Sequence, residues 1–112
     1  MAKLLLHLDD GERRVADASG IYYAEAVSGN TRVRRRSAKL LLDVRELNEV
    51  ARAWKRHGFV RIHQSFLVNP ECILRIRKRP DTTEWEVVLV PPVNAVLPVS
   101  RRQLRALWAA FE

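Results

Sequence analysis

The apolar residues of this chain fall mainly into short extended runs closed by turn residues, and this spacing limits the fold more than any other feature. Extended runs at 4–8 and 12–15 flank an Asp-Asp-Gly turn, which is typical of a β-hairpin. Further runs follow at 21–27, 31–36, 39–42, 59–69, 73–77, 85–90 and 96–99. Because neighbouring runs are joined by short turns, the sequence predicts an antiparallel, mainly β domain.

Two segments instead carry apolar residues at the i, i+3, i+4, i+7 spacing of an amphipathic helix. They are Leu47, Val50, Ala51 and Trp54, and Leu104, Leu107, Trp108 and Phe111. Each follows a pair with the spacing of a capping box, which is Asp43 with Glu46 and Ser100 with Gln103. We therefore expect two short helices, with Trp54 and Trp108 both buried in the core.

A polar triplet, His63-Gln64-Ser65, interrupts the extended run FVRIHQSFLVN at 59–69. Strict alternation would place Gln64 on the same face as four apolar side chains, Val60, Ile62, Phe66 and Val68. An unpaired amide buried there would cost about 1–3 kcal/mol. Either the sheet satisfies Gln64 internally, or the strand breaks and presents the triplet to something outside.

Charge is the informative part of the composition. The 112 residues contain 20 Lys and Arg against 13 Asp and Glu, a net charge of +7, which favours a polyanionic partner, nucleic acid first and an acidic membrane surface second. The length fits one domain. A single cysteine, Cys72, cannot form an internal disulfide, and the N-terminal apolar run is too short for a signal peptide. We expect a cytoplasmic protein without membrane insertion.

Polar and basic residues collect at three junctions, each at the end of an element, where scaffolds usually display function. The junctions contain Asn30, Thr31 and Arg32, leading into Arg34, Arg35 and Arg36; His63, Gln64 and Ser65; and Ser100, Arg101 and Arg102. The three histidines lack metal-site spacing, Cys72 is typical of a buried structural thiol, and no phosphate-binding glycine loop is present. We therefore expect no enzyme activity, metal or cofactor.

Four segments, taken in order, resemble the LytTR family of bacterial DNA-binding domains, the output module of LytR/AlgR-type response regulators. They are IYYAEAVSGNTRV at 21–33, LDVRELNEV at 42–50, GFVRIHQSFLVN at 58–69 and LPVSRRQLRAL at 97–107. The resemblance spans residues 3–108. It implies an elongated domain of several small antiparallel sheets whose loops, rather than a recognition helix, enter successive major grooves of DNA.

The resemblance also implies which residues contact DNA. The set comprises Asn30, Thr31, Arg32 and Arg34 from the first junction, His63 and Gln64 from the second, and Ser100, Arg101 and Arg102 from the third. His63 either contacts DNA or, with Ser65, holds the shape of its loop. Many family members have Arg or Asn at the position of Gln64, and a glutamine amide pairs well with adenine.

The leading hypothesis is a sequence-specific regulator of transcription that binds double-stranded DNA, with two copies side by side on paired direct repeats. Its control would come either from its abundance or from a regulatory protein partner that blocks the domain. The alternative is a protein-interaction adaptor that uses its β edges or the apolar residues Trp85 and Val88. RNA binding is disfavoured because no aromatic pair is placed to stack bases. No receiver domain precedes residue 1, so we expect either a stand-alone regulator or a fragment of a larger one.

Overall fold

The computed structural model describes residues 2–37 and 39–112, which form ten strands in three antiparallel sheets and two short α-helices. The strands are β1 (Lys3–His7), β2 (Arg13–Asp17), β3 (Ile21–Val27), β4 (Asn30–Arg35), β5 (Leu41–Asp43), β6 (Val60–His63), β7 (Phe66–Val68), β8 (Ile73–Lys78), β9 (Trp85–Leu89) and β10 (Val96–Val99). The helices are α1 (Leu47–Trp54) and α2 (Leu104–Ala109). With dimensions of 45 × 27 × 25 Å, the structure confirms the predicted elongated, mainly β fold.

A five-stranded sheet in the order β5-β4-β3-β7-β6 lies at the centre of the molecule. The β1–β2 hairpin joins one edge of this sheet, where Leu8 forms a β-bridge to Asp43 at the end of β5. A three-stranded sheet in the order β10-β9-β8 adjoins the other edge, where the Ser100 N–H donates to the Ile62 carbonyl at 2.8 Å. The central sheet therefore links the N-terminal hairpin to the C-terminal sheet.

The two faces of the central sheet pack into two different apolar cores. Successive side chains of a strand point to opposite faces, and Leu67 and Val68 on β7 accordingly belong to different cores. The core of Leu67 also contains the inner side chains of the hairpin and of α1. The core of Val68 is completed by β9, β10 and Leu107 of α2. The central sheet therefore contributes side chains to both cores.

The two helices pack to different depths. The stripe on α1 is buried as predicted, with Trp54 only 1% exposed. On α2 only Leu107 is buried, and Trp108 is 38% exposed. The prediction that Trp108 is buried is therefore wrong. The physical reason is that α2 ends at Ala109 and Trp108 packs edge-on against Trp85, with ring centroids 5.3 Å apart, at the rim of the C-terminal sheet.

Neither predicted capping box forms. Asp43 is fully buried and accepts hydrogen bonds from the backbone N–H groups of His7 and Arg45, at 2.9 and 3.0 Å. It therefore holds the junction between the hairpin and β5 instead of capping α1. The Ser100 side chain makes no capping hydrogen bond, because the Gln103 N–H donates to the Ser100 backbone carbonyl in a 3-10 turn over Arg101–Gln103.

Cys72 is buried at the start of β8, as its predicted structural role requires. Burial, together with the nearby Glu71 carboxylate, raises the pKa of the Cys72 thiol to about 11. The thiol is therefore protonated near neutral pH and is a poor nucleophile. Within residues 2–37 and 39–112, no helix has the length and apolar character needed to cross a membrane.

Candidate nucleic-acid interface

The first loop is the tight turn between β3 and β4. Ser28 and Gly29 both have positive φ angles, 47° and 83°, as a two-residue turn of type I′ requires between twisted strands. Asn30 follows as the first residue of β4 and is half-buried. Arg32 is exposed on the same strand and forms an ion pair with Glu25 on β3, with an N–O distance of 2.7 Å. The turn projects beyond the sheet and carries Asn30 at its base.

Thr31 does not present its side chain to the surface. It is 0% exposed, and its Oγ1 donates to the Arg45 carbonyl at 2.9 Å. The Arg45 side chain is in turn held by Asp43 at 2.8 Å. Its side chain therefore fastens β4 to the segment before α1, and a contact between Thr31 and DNA remains a prediction. Alternation along β4 indicates this burial, because Thr31 and Val33 lie on the same face of the strand.

Burial of Asp43 by itself would raise the pKa of its carboxyl group. Hydrogen bonds from the Arg45 side chain and from the backbone N–H groups of His7 and Arg45 outweigh burial and hold that pKa below its usual range. Asp43 is therefore ionised at neutral pH, and its contribution to stability is lost only as the pH falls through the lowered pKa. The Asp43 carboxylate, which holds Arg45 beneath the first loop, therefore carries its negative charge at neutral pH.

The second loop joins β6 to β7 and contains the polar triplet. The pairing of these strands shifts by one residue between Arg61 and His63, so the chain leaves its alternation before Gln64. Gln64 is consequently exposed instead of lying on the apolar face. The Ser65 N–H donates to His63 Nδ1 at 3.0 Å, and the His63 ring packs against Phe66. The strand breaks at the triplet, and His63 helps to shape the loop.

Arg61 fastens the second loop to α1. Its Nε donates to the His63 carbonyl at 2.8 Å, and its Nη2 donates to the Gln64 carbonyl. Its Nη1 donates to Asn48 Oδ1 at 2.8 Å in the first turn of α1. Neither Arg61 nor Asn48 was among the predicted site residues. In the sequence, the one feature that points to this role of Arg61 is its place two residues before the polar triplet.

The third loop is the turn between β10 and α2. The Ser100 side chain is half-buried, whereas Arg101 and Arg102 are exposed. Within residues 2–37 and 39–112, neither arginine forms an ion pair or a side-chain hydrogen bond. Two guanidinium groups are therefore available to bind anionic groups from outside.

The three loops line connected concavities on one side of the molecule. A cavity of 450 Å³ is lined by Asn48, Arg61, His63, Gln64, Ser100, Arg102 and Gln103. A second, of 250 Å³, shares three of these residues and extends to Gly29 and Asn30 in the first loop. A third, of 310 Å³, shares His63 and Ser100 with the first and extends to Arg101. We call this connected surface the reading groove.

Three predicted DNA contacts, Thr31, Arg32 and Arg34, do not line the reading groove. Arg34 lies further along β4, opposite Tyr23 on β3, and is half-buried. The residues considered for a protein-binding role, Trp85 and Val88, are both half-buried in the C-terminal sheet. The structure thus brings together Asn30, His63, Gln64, Ser100, Arg101 and Arg102.

Comparison with known proteins identifies the family of this chain. The family model described as the LytTr DNA-binding domain matches residues 11–112. Among solved structures, the fold is similar to the LytTr DNA-binding domain of a Bacillus cereus protein described as a methyl-accepting/DNA response regulator. That similarity has a TM-score of 0.75 at 23% sequence identity and covers 99% of this chain and 97% of that one. No sequence among the curated proteins matches. The resemblance seen in the sequence is confirmed, and this chain belongs to the LytTR family of DNA-binding domains.

Proposed function

We propose that this DNA-binding domain is a regulator of transcription that reads a specific duplex sequence by placing its three loops in successive major grooves. The observation that carries the proposal is the reading groove, in which side chains from all three loops lie on one side of an elongated molecule. One continuous surface can follow one face of a DNA duplex. A recognition helix is not needed for this arrangement.

Two exposed side chains have the chemistry to distinguish base pairs. The Gln64 amide has a donor and an acceptor that match the N6 and N7 atoms of adenine, and the Arg101 guanidinium matches the O6 and N7 atoms of guanine. Arg102 and Arg32 supply positive charge for phosphates, which position a protein on DNA without reading its sequence. Asn30 and Ser100 complete the contacts at the two ends of the reading groove.

Other residues act by holding these readers in place. Arg61 binds both carbonyl groups beside Gln64 and connects them to α1, which restricts the directions that the Gln64 side chain can take. Thr31 fastens the base of the first loop through the Arg45 carbonyl. His63 uses Nδ1 to hold Ser65, which leaves Nε2 as the atom available to DNA. Recognition improves when such side chains are ordered before binding.

We further propose that two copies bind side by side on paired direct repeats. Each copy would cover one repeat with its long axis, 45 Å, following the duplex. Titration of a duplex with two repeats should then give two successive shifted bands in a gel. Inserting half a helical turn between the repeats should remove any cooperativity between the copies without changing the affinity for a single repeat.

The experiment that tests this function begins with selection of duplexes from a random library by the purified chain. The selected duplex and a scrambled one are then titrated over a salt series. Each neutralised phosphate contributes about −0.9 to the slope of log K against log salt, so phosphate contacts from Arg32 and Arg102 predict a slope of about −2. A slope near zero would contradict DNA binding by these arginines. A steep slope with equal affinity for both duplexes would contradict sequence-specific reading.

A further inference from the structure

A second concave surface lies between the β1–β2 hairpin and the C-terminal end of α1. It encloses 340 Å³ and shares no lining residue with the reading groove. We call it the hairpin groove. Its exposed apolar surface comes from Leu5 on β1 and Val15 on β2, which lie opposite each other. Leu5 is 46% exposed and Val15 is 60% exposed. Its volume lies in the usual range of about 300–1,000 Å³ for binding pockets.

Every charged or titratable side chain that lines the hairpin groove is basic. They are Lys3, His7, Arg45, Arg56 and His57. Lys3 is neutralised by Asp17 and Arg45 by Asp43, at 2.7 and 2.8 Å. Arg56 is exposed and forms no ion pair with a carboxylate of the part of the chain that the structure describes. The groove therefore favours an occupant that carries negative charge.

Trp54 lies at the base of the same surface. Its ring lines the hairpin groove, and its Nε1 is buried without an acceptor among residues 2–37 and 39–112. Because Trp54 is only 1% exposed, a bound segment does not reach this N–H directly, and its signal serves as a probe of the groove above it.

We propose that the hairpin groove binds an acidic, amphipathic segment of a partner protein. Apolar side chains of the segment would cover Leu5 and Val15, and its carboxylates would pair with Arg56. A second copy of this chain is a poorer occupant, because two chains of net charge +7 repel each other. A DNA backbone would leave the apolar pair uncovered. Because the two grooves share no residue, the domain can hold DNA and this partner together.

The test uses a synthetic peptide of about 14 residues, with Leu or Phe at helical i, i+3, i+4, i+7 positions and Asp or Glu elsewhere. One control peptide has Lys in place of every acidic residue, and another has Ser in place of every apolar residue. The chain has three tryptophans, so a ¹⁵N-labelled sample gives three indole N–H signals. We expect the acidic peptide to shift the Trp54 signal saturably, without shifting those of Trp85 and Trp108. Both control peptides should bind far more weakly.

Two matched charge reversals locate the binding site. Arg56→Glu should weaken binding of the acidic peptide about fivefold, because it removes an attraction and adds a repulsion at the groove. Arg52→Glu changes the net charge equally from α1 but does not line the hairpin groove, so peptide affinity should stay close to that of the unmodified chain. Both variants should bind DNA equally, which separates this inference from the proposed function.

Several results would overturn the inference. Equal weakening by the two charge reversals, or shifts centred on Gln64 and Arg101, would mean that the peptide is drawn to the basic surface in general. Shifts of Trp54 that grow with protein concentration in the absence of peptide would identify a second copy as the occupant. Shifts produced by anionic phospholipid vesicles but not by the peptide would assign the groove to a membrane surface.

Discussion

The β6–β7 loop and the turn before α2 line the same groove but are held in different ways. In the β6–β7 loop, Arg61 binds the carbonyl groups of His63 and Gln64, and the His63 ring binds the next N–H. In the turn before α2, Arg101 and Arg102 make no side-chain hydrogen bond within the described residues 2–37 and 39–112. The β6–β7 loop is thus fixed in the absence of DNA, whereas we expect the arginines of the turn before α2 to become ordered only if they bind DNA as proposed.

The helices next to these two loops also differ in how much of their apolar surface is buried. The β6–β7 loop is connected through Asn48 to α1, whose apolar stripe is buried in a core. The turn before α2 leads into a helix that buries only Leu107. Ordering a flexible side chain on binding costs about 0.5–1.5 kcal/mol. If both loops read bases as proposed, Gln64 in the fixed loop should bind at little ordering cost, whereas Arg101 in the freer turn should be ordered at the expense of part of its binding energy.

The largest expected effect concerns the two helices. Trp54→Ala should lower the free energy of unfolding by about 3–5 kcal/mol, because it leaves a cavity in a packed core. Trp108→Ala should cost only about 1 kcal/mol, mainly from the lost contact with Trp85. Denaturant unfolding of both variants measures the difference. Equal losses would show that α2 is packed as firmly as α1.

A smaller effect is expected at the fastening of the β6–β7 loop. Arg61→Lys keeps the charge but loses the planar fork that reaches two carbonyl groups and Asn48. Affinity for the selected duplex should fall by about 2 kcal/mol. Titration alongside Arg52→Lys, an exposed arginine with no such contacts, provides the control. If the two variants bind alike, Arg61 does not position the reader.

Replacing Gln64 by Ala tests the reader itself. The variant should lose about 1–3 kcal/mol of discrimination at one base pair and little elsewhere, because the loop backbone is still held by Arg61. Affinities for duplexes changed one base pair at a time reveal the position. A uniform loss at every position would assign Gln64 to the phosphate backbone.

The smallest effect is expected for Thr31→Val, which keeps the shape of the side chain and removes its bond to the Arg45 carbonyl. Stability should fall by about 1 kcal/mol. DNA affinity should change by less than about twofold, since the side chain is buried beneath the first loop. Thermal unfolding and DNA titration of one sample measure both quantities. A large loss of affinity at unchanged stability would instead support a contact between Thr31 and DNA.

Most of the fold could be predicted from the sequence because it depends on local signals. The turns at 9–11 and 28–30 and the stripe on α1 specify their elements within a few residues. The exposure of Trp108 could not be predicted. Apolar periodicity shows which residues share one face of a helix, but not how far the surface that packs against this face extends. The role of Arg61 depends on contacts between β6, its loop and α1, which exist only after the chain has folded. The exposure of Gln64 depends on the one-residue shift in the pairing of β6 with β7, which alternation alone does not predict.

Arg101→Lys tests base reading through the loops most directly. The substitution keeps the positive charge in the turn before α2 but removes the planar pair of donors that matches guanine. We expect affinity for the selected duplex to fall by about 1–3 kcal/mol. Affinity for a scrambled duplex and the salt slope should stay unchanged. Equal losses on both duplexes would contradict base reading by Arg101 and reduce it to a phosphate contact.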